Sequence, residues 1–286
     1  MTELRQRMID EMTLRGFSAK THEAYLGAVK GLACHYKQPP DKLSLEQVRQ
    51  YLLHLERDRH LSWSSLNVAA SGFRFFYFKT LKWDLDAMEI PKRQTQSRLP
   101  EILSCEEVDQ LLGAADNDKH RMLLTTCYAA GLRLNEVIHL RVSDIDSARM
   151  SIRVEQGKGS KDRYTILSPR LREELRTYWK THRPKHWLFP GKSQDVALHE
   201  TAAQRAYTKA KQRAGIQKGH GTHTLRHCFA THLLEMGVDL PTIQALMGHT
   251  SVTTTMRYIK LRQHHFTSNP GKFELLVAPP KPPHNT

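Results

Sequence analysis

The chain has 286 residues, of which 39% are hydrophobic and 25% are charged. This composition is typical of a globular protein of about two domains, and it excludes a collagen-like or wholly disordered chain. No apolar run approaches the ~18–20 residues that a membrane span needs, and the charged start lacks the apolar segment of a secretory signal. We therefore expect a cytoplasmic protein with no membrane partner.

Basic residues exceed acidic ones by 14, and the excess is concentrated in one part of the chain. Residues 150–232 contain 17 Lys and Arg but only 6 Asp and Glu. A local excess of this kind favours binding to a polyanion, and nucleic acid is the commonest polyanion that proteins bind.

Residues 1–88 are predicted to form a small bundle of helices. Ser18 is a typical N-cap, and the apolar positions that follow it repeat at helical spacing. Ser44 and Gln47 have the spacing of a capping box. An aromatic-rich stretch over residues 66–81 predicts a helix in the core of the bundle.

A polar stretch at 89–100 predicts a linker, and a second domain is expected at 101–266, beginning with a capping box at Ser104 and Glu107. Met150, Ile152 and Val154 alternate with polar residues, which predicts one strand of a β-hairpin. The Gly-rich turn at 156–162 leads to the partner strand at 164–167, and a Pro-rich tail at 267–286 is expected to be partly disordered. Helical patterns cover most of the remainder: 169–182, 200–214, 222–236, 241–247 and 253–262.

The predicted fold is therefore mainly α with a small β-hairpin, in two domains. Four short segments of the second domain combine residues that carry chemistry: 130–137, 157–159, 223–234 and 246–258.

The third of these segments predicts a helix on which His223 and Arg226, three residues apart, share a face. An adjoining apolar stripe is expected to anchor that helix in the core: Leu225, Phe229, Leu233 and Met236. In the fourth segment Gly248 is predicted to end a short helix, which fixes His249 just beyond it. A tyrosine on the next helix, Tyr258, can then meet that histidine across the turn.

Zinc binding is an alternative for the histidine-rich segment, because His223, His227 and His232 are close in sequence. No H-E-x-x-H pattern and no nearby carboxylate complete such a site, and Arg226 would repel the ion. The four cysteines are widely spaced and form no C-x-x-C pair, which argues against a zinc ribbon or a disulfide framework. We therefore predict no metal site.

Two arginines, a lysine on a turn, two histidines and a tyrosine together fit phosphoryl transfer without a metal. Guanidinium groups match the geometry and charge of a phosphodiester under attack. A lysine can protonate the leaving oxygen, and a tyrosine hydroxyl can attack once a base takes its proton.

The four segments resemble, in order, the motifs of the tyrosine recombinase (phage integrase) family, which includes the Xer recombinases: G-L-R-x-x-E, G-K-G-x-K, H-x-L-R-H-x-F-A-T-H-L-L and L-G-H-x-x-x-x-T-x-x-Y. The resemblance implies that Arg133 and Arg226 hold the scissile phosphate and that Tyr258 attacks it, forming a 3′-phosphotyrosine link. It assigns the general acid to Lys158, or to Lys161 if the turn is shifted, with acid/base exchange by His223 and a phosphate hydrogen bond from His249. Glu136 would support Arg133, and no cofactor, metal or ATP is required.

The resemblance also implies that the partner is double-stranded DNA with paired inverted repeats, clamped by the two domains. The protein would act as a homotetramer on DNA and be a monomer or weak oligomer when free. It would serve a bacterial mobile element and be associated with the nucleoid. A C-terminal segment would pass between protomers, and residues 275–277 are the candidate for its docking patch. In the N-terminal domain we expect DNA phosphate contacts from exposed polar and basic residues: Ser18, Lys20, Thr21, Arg74 and Lys79.

Two alternatives remain. A DNA-binding relative that no longer cuts is disfavoured by the intact set of six residues. A type IB topoisomerase shares the chemistry but is disfavoured by the N-terminal bundle, which resembles a recombinase core-binding domain.

Overall fold

The computed structural model describes residues 2–83, 100–155, 162–249, 251, 254–256 and 258–259. The chain divides into two compact units, Met1–Ser97 and Arg98–Thr286. The turn that carries Lys158 and Lys161, the tail at 267–286 and all of the predicted linker at 89–100 except Pro100 lie outside the described residues.

The N-terminal unit is a helical bundle. Ser18 accepts a hydrogen bond from the Thr21 backbone N–H, and Ser44 and Gln47 form both bonds of a capping box, so the caps predicted from the sequence are confirmed. A short 3₁₀ turn over Pro40–Lys42 separates the second and third helices. The helices are α1 (Glu3–Leu14), α2 (Ala19–Tyr36), α3 (Leu45–Arg57) and α4 (Trp63–Arg74).

The aromatic stretch differs from the single helix predicted for it. The α-helix ends at Arg74 and continues as a π-helix over Phe75–Thr80, with the Leu81 N–H bonded to the Phe76 carbonyl at 2.9 Å. An α-helix turns successive side chains by about 100°, so it directs some of any four consecutive residues away from the core. The wider π turn accompanies the burial of four consecutive aromatic side chains: Phe75, Phe76, Tyr77 and Phe78.

The second unit begins with helices and a small sheet. The predicted hairpin is confirmed: β2 (Ser151–Val154) pairs antiparallel with β3 (Arg163–Ile166), with Ile152 opposite Thr165. A further strand, β1 (Ile145–Asp146), was not predicted and extends the sheet to the order β1-β2-β3. The helices before the sheet are α5 (Cys105–Gly113), α6 (Asp118–Ala129) and α7 (Leu134–Ile138).

Four helices follow the sheet: α8 (Pro169–His182), α9 (Glu200–Arg213), α10 (His223–Glu235) and α11 (Leu240–Met247). Residues 254–256 and 258–259 are also helical. The hairpin presents buried Ile152 and Val154 to a core shared with α5–α10. Among the described residues, no helix combines the length and the apolar character that crossing a membrane requires.

Helix α10 is buried on most of its surface, which corrects the single apolar stripe predicted for it. Leu225 and Phe229 lie in the core, as predicted, but Met236 is 72% exposed. Met236 is the C-cap residue, just beyond the last helical residue Glu235, and its side chain lies outside the core. Small and polar residues of α10 that lie outside the predicted stripe are also buried, among them Thr224, Ala230 and Thr231.

Candidate active site

Glu136, in the first turn of α7, is the centre of a cluster of arginines. Its carboxylate accepts a hydrogen bond at 2.7 Å from Arg133 Nη1 and another at 2.8 Å from the Arg133 backbone N–H. Arg163, at the start of β3, donates two more hydrogen bonds at 2.7 and 2.8 Å. The Glu136 side chain is only 6% exposed, so these bonds hold a buried carboxylate in one orientation.

Arg226 joins the same cluster from α10. Its Nη1 lies 3.7 Å from Glu136 Oε2 and donates to the Gly131 carbonyl, while Nη2 donates to the Met247 carbonyl. The residue is 3% exposed. Three arginines thus surround one carboxylate, and the cluster keeps a net positive charge suited to an anion.

The ionisation of these groups reflects that crowding. Burial alone would raise the pKa of Glu136, but its hydrogen bonds and charge interactions with Arg163 and Arg133 lower the pKa to about 2. Burial and the charge of Arg133 lower the pKa of Arg226 to about 10. Both groups are therefore charged at neutral pH.

A turn after α11 brings His249 to the arginine cluster. Gly248 has φ +59°, which ends the helix as the sequence predicts, and its carbonyl lies 3.4 Å from Arg133 Nη2. His249 Nδ1 lies 2.9 Å from the Thr255 hydroxyl. Burial, together with the charges of Arg226, Arg133 and Arg163, lowers the pKa of His249 to about 4, so its imidazole is neutral at pH 7.

Tyr258 packs directly against this histidine. The two rings are parallel, with centroids 6.4 Å apart and an interplanar angle of 5°. Tyr258 is 2% exposed and lies in an apolar cluster with Phe229, Ile243 and Met247. Its hydroxyl is 2.9 Å from His227 Nδ1.

His223 lies at the N-terminus of α10, one turn before His227, and the two rings have centroids 6.0 Å apart. Partial burial lowers the pKa of His223, and the charges of Arg226 and Arg133 add to that effect. The third histidine of the zinc alternative is elsewhere: His232 lies 2.8 Å from the Tyr128 hydroxyl and 3.0 Å from the Leu103 carbonyl. The described residues contain no group of three or more His, Cys, Asp or Glu side chains that could hold a metal ion.

The structure therefore brings together five of the six side chains to which the sequence assigned catalytic roles. Contacts connect Arg133 to Arg226 through Glu136, and to His249 through Gly248. Further contacts continue to Tyr258 and His223. Lys158, the sixth, and its substitute Lys161 lie outside the described residues.

Sequence reasoning missed two members of the cluster. Arg163 follows the Gly-rich turn, and nothing local marks it as the partner of Glu136, 27 residues earlier. His227 was considered only as a zinc ligand, yet it meets the tyrosine hydroxyl, where the sequence placed His249. The spacing of His227 from His223, one helical turn, was the available signal.

The residues predicted to contact DNA in the N-terminal unit lie around the start of α2 and the end of α4. Ser18 and Lys20 are exposed, and Lys79 is exposed on the π-helix. The Ser18 hydroxyl lies 2.9 Å from that of Thr21 and caps its N–H, so part of this helix start is already bonded within the helix. Arg74, the last residue of α4, is half-buried.

Two family profiles match the chain. Residues 101–265 match the phage integrase family, and residues 4–87 match the phage integrase N-terminal SAM-like domain. An inferred integrase/recombinase of Sinorhizobium fredii, y4qK, is 45% identical over 285 residues, which cover 99% of this chain and 92% of the relative. The tyrosine recombinase XerA of Thermococcus kodakarensis is 30% identical over 271 residues, which cover 93% of each chain.

Solved structures have the same fold. A crystal structure of XerA recombinase aligns with a TM-score of 0.54 at 27% identity, covering 94% of this chain and 98% of that one. A lambda integrase tetramer bound to a Holliday junction aligns with a TM-score of 0.72 at 17% identity, covering 89% and 76%. The resemblance and the fold class predicted from the sequence are thereby confirmed. The chain belongs to the phage integrase family, the tyrosine recombinases.

Proposed function

We propose that this recombinase cuts and rejoins DNA strands through a 3′-phosphotyrosine link to Tyr258. The observation that carries the proposal is the position of the Tyr258 side chain, stacked on His249 and hydrogen-bonded to His227 beside the arginine cluster. A covalent link conserves the energy of the phosphodiester, so rejoining needs no ATP.

Arg133 and Arg226 bind the scissile phosphate. The bonds to Glu136, Gly131 and Met247 fix both guanidinium groups before DNA arrives. Preorganised charge of this kind stabilises the extra negative charge that develops on the non-bridging oxygens. His249, neutral at pH 7, donates a hydrogen bond to the same phosphate.

Lys158 protonates the 5′-oxygen as it leaves, with Lys161 as its substitute, and His223 takes part in acid/base exchange. The arginines supply the charge stabilisation that a metal provides in other phosphoryl transfers, so the reaction proceeds without a metal or other cofactor.

The DNA partner is a duplex with paired inverted repeats, on which four protomers assemble. The protein is a monomer or weak oligomer when free. Lambda integrase forms a tetramer on a Holliday junction, and XerH is a site-specific recombinase bound to its difH substrate, which supports this mode of assembly. The protein serves integration or excision of a bacterial mobile element and acts in the cytoplasm at the nucleoid.

Covalent capture tests the proposal. Full-length protein is incubated with a randomised duplex DNA library and quenched with SDS, and DNA attached to protein is recovered and sequenced. We expect the wild type to yield adducts that share one sequence motif, and Tyr258→Phe to yield none while retaining gel-shift binding to the selected duplex. Adducts that persist in Tyr258→Phe would contradict the proposal, and a wild type that binds DNA without forming adducts would favour the DNA-binding relative that does not cut.

A further inference from the structure

The hydroxyl of Tyr258 is hydrogen-bonded to His227, a residue to which the proposed function assigns no chemical step. His227 Nδ1 lies 2.9 Å from the tyrosine hydroxyl, and the ring centroids are 5.8 Å apart. This distance is within the range over which a general base must meet the proton that it abstracts.

The imidazole is mounted on a rigid part of the fold. His227 follows Arg226, whose guanidinium is bonded to two backbone carbonyls, and precedes Cys228, which is 0% exposed. Helix α10 therefore fixes the phosphate-binding arginine and the imidazole relative to each other. Precise positioning of this kind is what a catalytic group requires of its support.

The other two histidines of the cluster have different contacts. The His249 ring lies parallel to the Tyr258 ring, with centroids 6.4 Å apart, and its Nδ1 bonds to Thr255. His223 makes its ring contact with His227. The contact described at the Tyr258 hydroxyl is with His227.

We propose that His227, rather than His223, is the general base that takes the proton of Tyr258 during strand cleavage; this rests on the proposed function. Tyr258 Oη forms a bond to phosphorus as its O–H bond breaks, and the proton passes to His227 Nδ1. The P–O5′ bond breaks, and the 5′-oxygen leaves with a proton from Lys158. Rejoining reverses each step, with His227 returning the proton to the tyrosine oxygen.

The step requires a neutral His227 whose own proton is on Nε2, because Nδ1 must accept. His227→Asn separates this role from a purely structural one. An asparagine side chain keeps a hydrogen-bonding atom near the position of Nδ1, but its amide cannot take up a proton at neutral pH. His227→Ala removes both the bond and the base.

The test measures single-turnover cleavage of the duplex recovered by covalent capture, made in two forms. One has the normal scissile phosphate, and the other has sulfur in place of the bridging 5′-oxygen. A thiolate leaves without needing a proton, so the sulfur substrate removes the demand for a general acid but not for a base. Lys158→Ala serves as the general-acid comparison, and His220→Asn, at a 91% exposed histidine, is the matched control.

We expect His227→Ala and His227→Asn to slow cleavage about 100-fold or more on both substrates, with noncovalent binding unchanged. Lys158→Ala should cleave the normal phosphate substrate slowly and regain its cleavage rate on the sulfur substrate. His220→Asn should cleave both at the wild-type rate. Wild-type rates in His227→Asn would assign the residue a positioning role and overturn the proposal. The proposal would also be overturned if the sulfur substrate restored the cleavage rate of either His227 variant. Cleavage by His227→Ala that is faster than cleavage by the wild type would overturn it as well.

Failure of this inference is distinguishable from failure of the proposed function. If His227 is not the base, Tyr258→Phe still abolishes adducts while His227→Asn cuts normally. If Tyr258 is not the nucleophile, adducts persist in Tyr258→Phe, and both proposals fall. Should His227→Ala not fold, as judged by its melting curve, His227→Asn, which keeps a polar atom near the position of Nδ1, decides.

Discussion

Arg163 and Glu136 are joined by two parallel hydrogen bonds between guanidinium and carboxylate, 2.7 and 2.8 Å long. The same guanidinium donates from Nε to the Leu246 carbonyl at 3.1 Å, near the end of α11. Glu136 in turn orients Arg133. A single side chain on β3 therefore fixes both the carboxylate that holds Arg133 and the helix end that precedes His249.

Replacing Arg163 is expected to impair cleavage more than DNA binding. Arg163→Ala leaves a buried carboxylate with fewer partners, which should cost about 3–5 kcal/mol of the free energy of unfolding. Arg163→Lys keeps the charge but loses the bidentate geometry, so it should fold and bind DNA while cutting more slowly. Urea unfolding measures stability, gel shift measures DNA binding, and SDS capture measures cleavage.

The control for that prediction is Arg170→Ala, which removes an 82% exposed partner of Glu174. An exposed pair contributes about 0–1 kcal/mol, so stability and cleavage should both stay near wild type. If Arg163→Lys cuts at the wild-type rate, the positioning role of Arg163 is wrong.

Protonation of Glu136 in acid should lower the free energy of unfolding. Its folded-state pKa of about 2 is below the ordinary value of 4.5, because the hydrogen bonds and charges of Arg163 and Arg133 outweigh burial. Its stabilising contribution is thus complete above about pH 5 and is lost as the pH falls towards 2, with a total of about 3 kcal/mol. Urea unfolding between pH 6 and 3 should show a steeper loss in wild type than in Glu136→Gln, and equal slopes would contradict the assignment.

Gly248→Ala should displace the turn that carries His249. A Cβ at Gly248 would lie 2.5 Å from Arg163 Cδ, and the backbone there has φ +59°. Gly215→Ala is the matched control, since Gly215 has φ +68° with nothing within 4 Å of the added carbon. Both should lose about 1 kcal/mol from backbone strain, but only Gly248→Ala should also lose cleavage in SDS capture.

DNA binding should weaken steeply as salt is added, because counterion release accompanies each phosphate contact. Lys20→Ala and Lys79→Ala should each lower the slope of log affinity against log salt by about 0.9 if each lysine meets one phosphate. Lys20→Arg and Lys79→Arg keep the charge and should keep the slope. Fluorescence anisotropy with the captured duplex measures the affinity at each salt concentration. Unchanged slopes in the alanine variants would show that these lysines do not contact DNA phosphates.

Features set by neighbouring residues could be predicted from the sequence. The capping boxes at Ser44 and Ser104 depend on a partner three residues away, and both form. The hairpin depends on alternation within two short strands, and it forms as expected. The Gly248 helix end needs only a residue that tolerates positive φ.

Features set by contacts between distant residues could not be predicted from the sequence. Arg163 meets Leu246, 83 residues later, and His227 meets Tyr258, 31 residues later. Strand β1 is too short to show alternation. The aromatic residues at 75–80 are compatible with an α-helix as well as with the π-helix that forms. What distinguishes the two is how the bundle buries these side chains.

Tyr258 is the residue at which we expect the link to DNA to form, and the chemical identity of the adduct shows whether it forms there. Wild-type adducts are isolated, digested with nuclease and trypsin, and sequenced by tandem mass spectrometry. We expect a nucleotide joined through its 3′-phosphate to the hydroxyl oxygen of Tyr258. A nucleotide on any other side chain, or one joined through a 5′-phosphate, would contradict it.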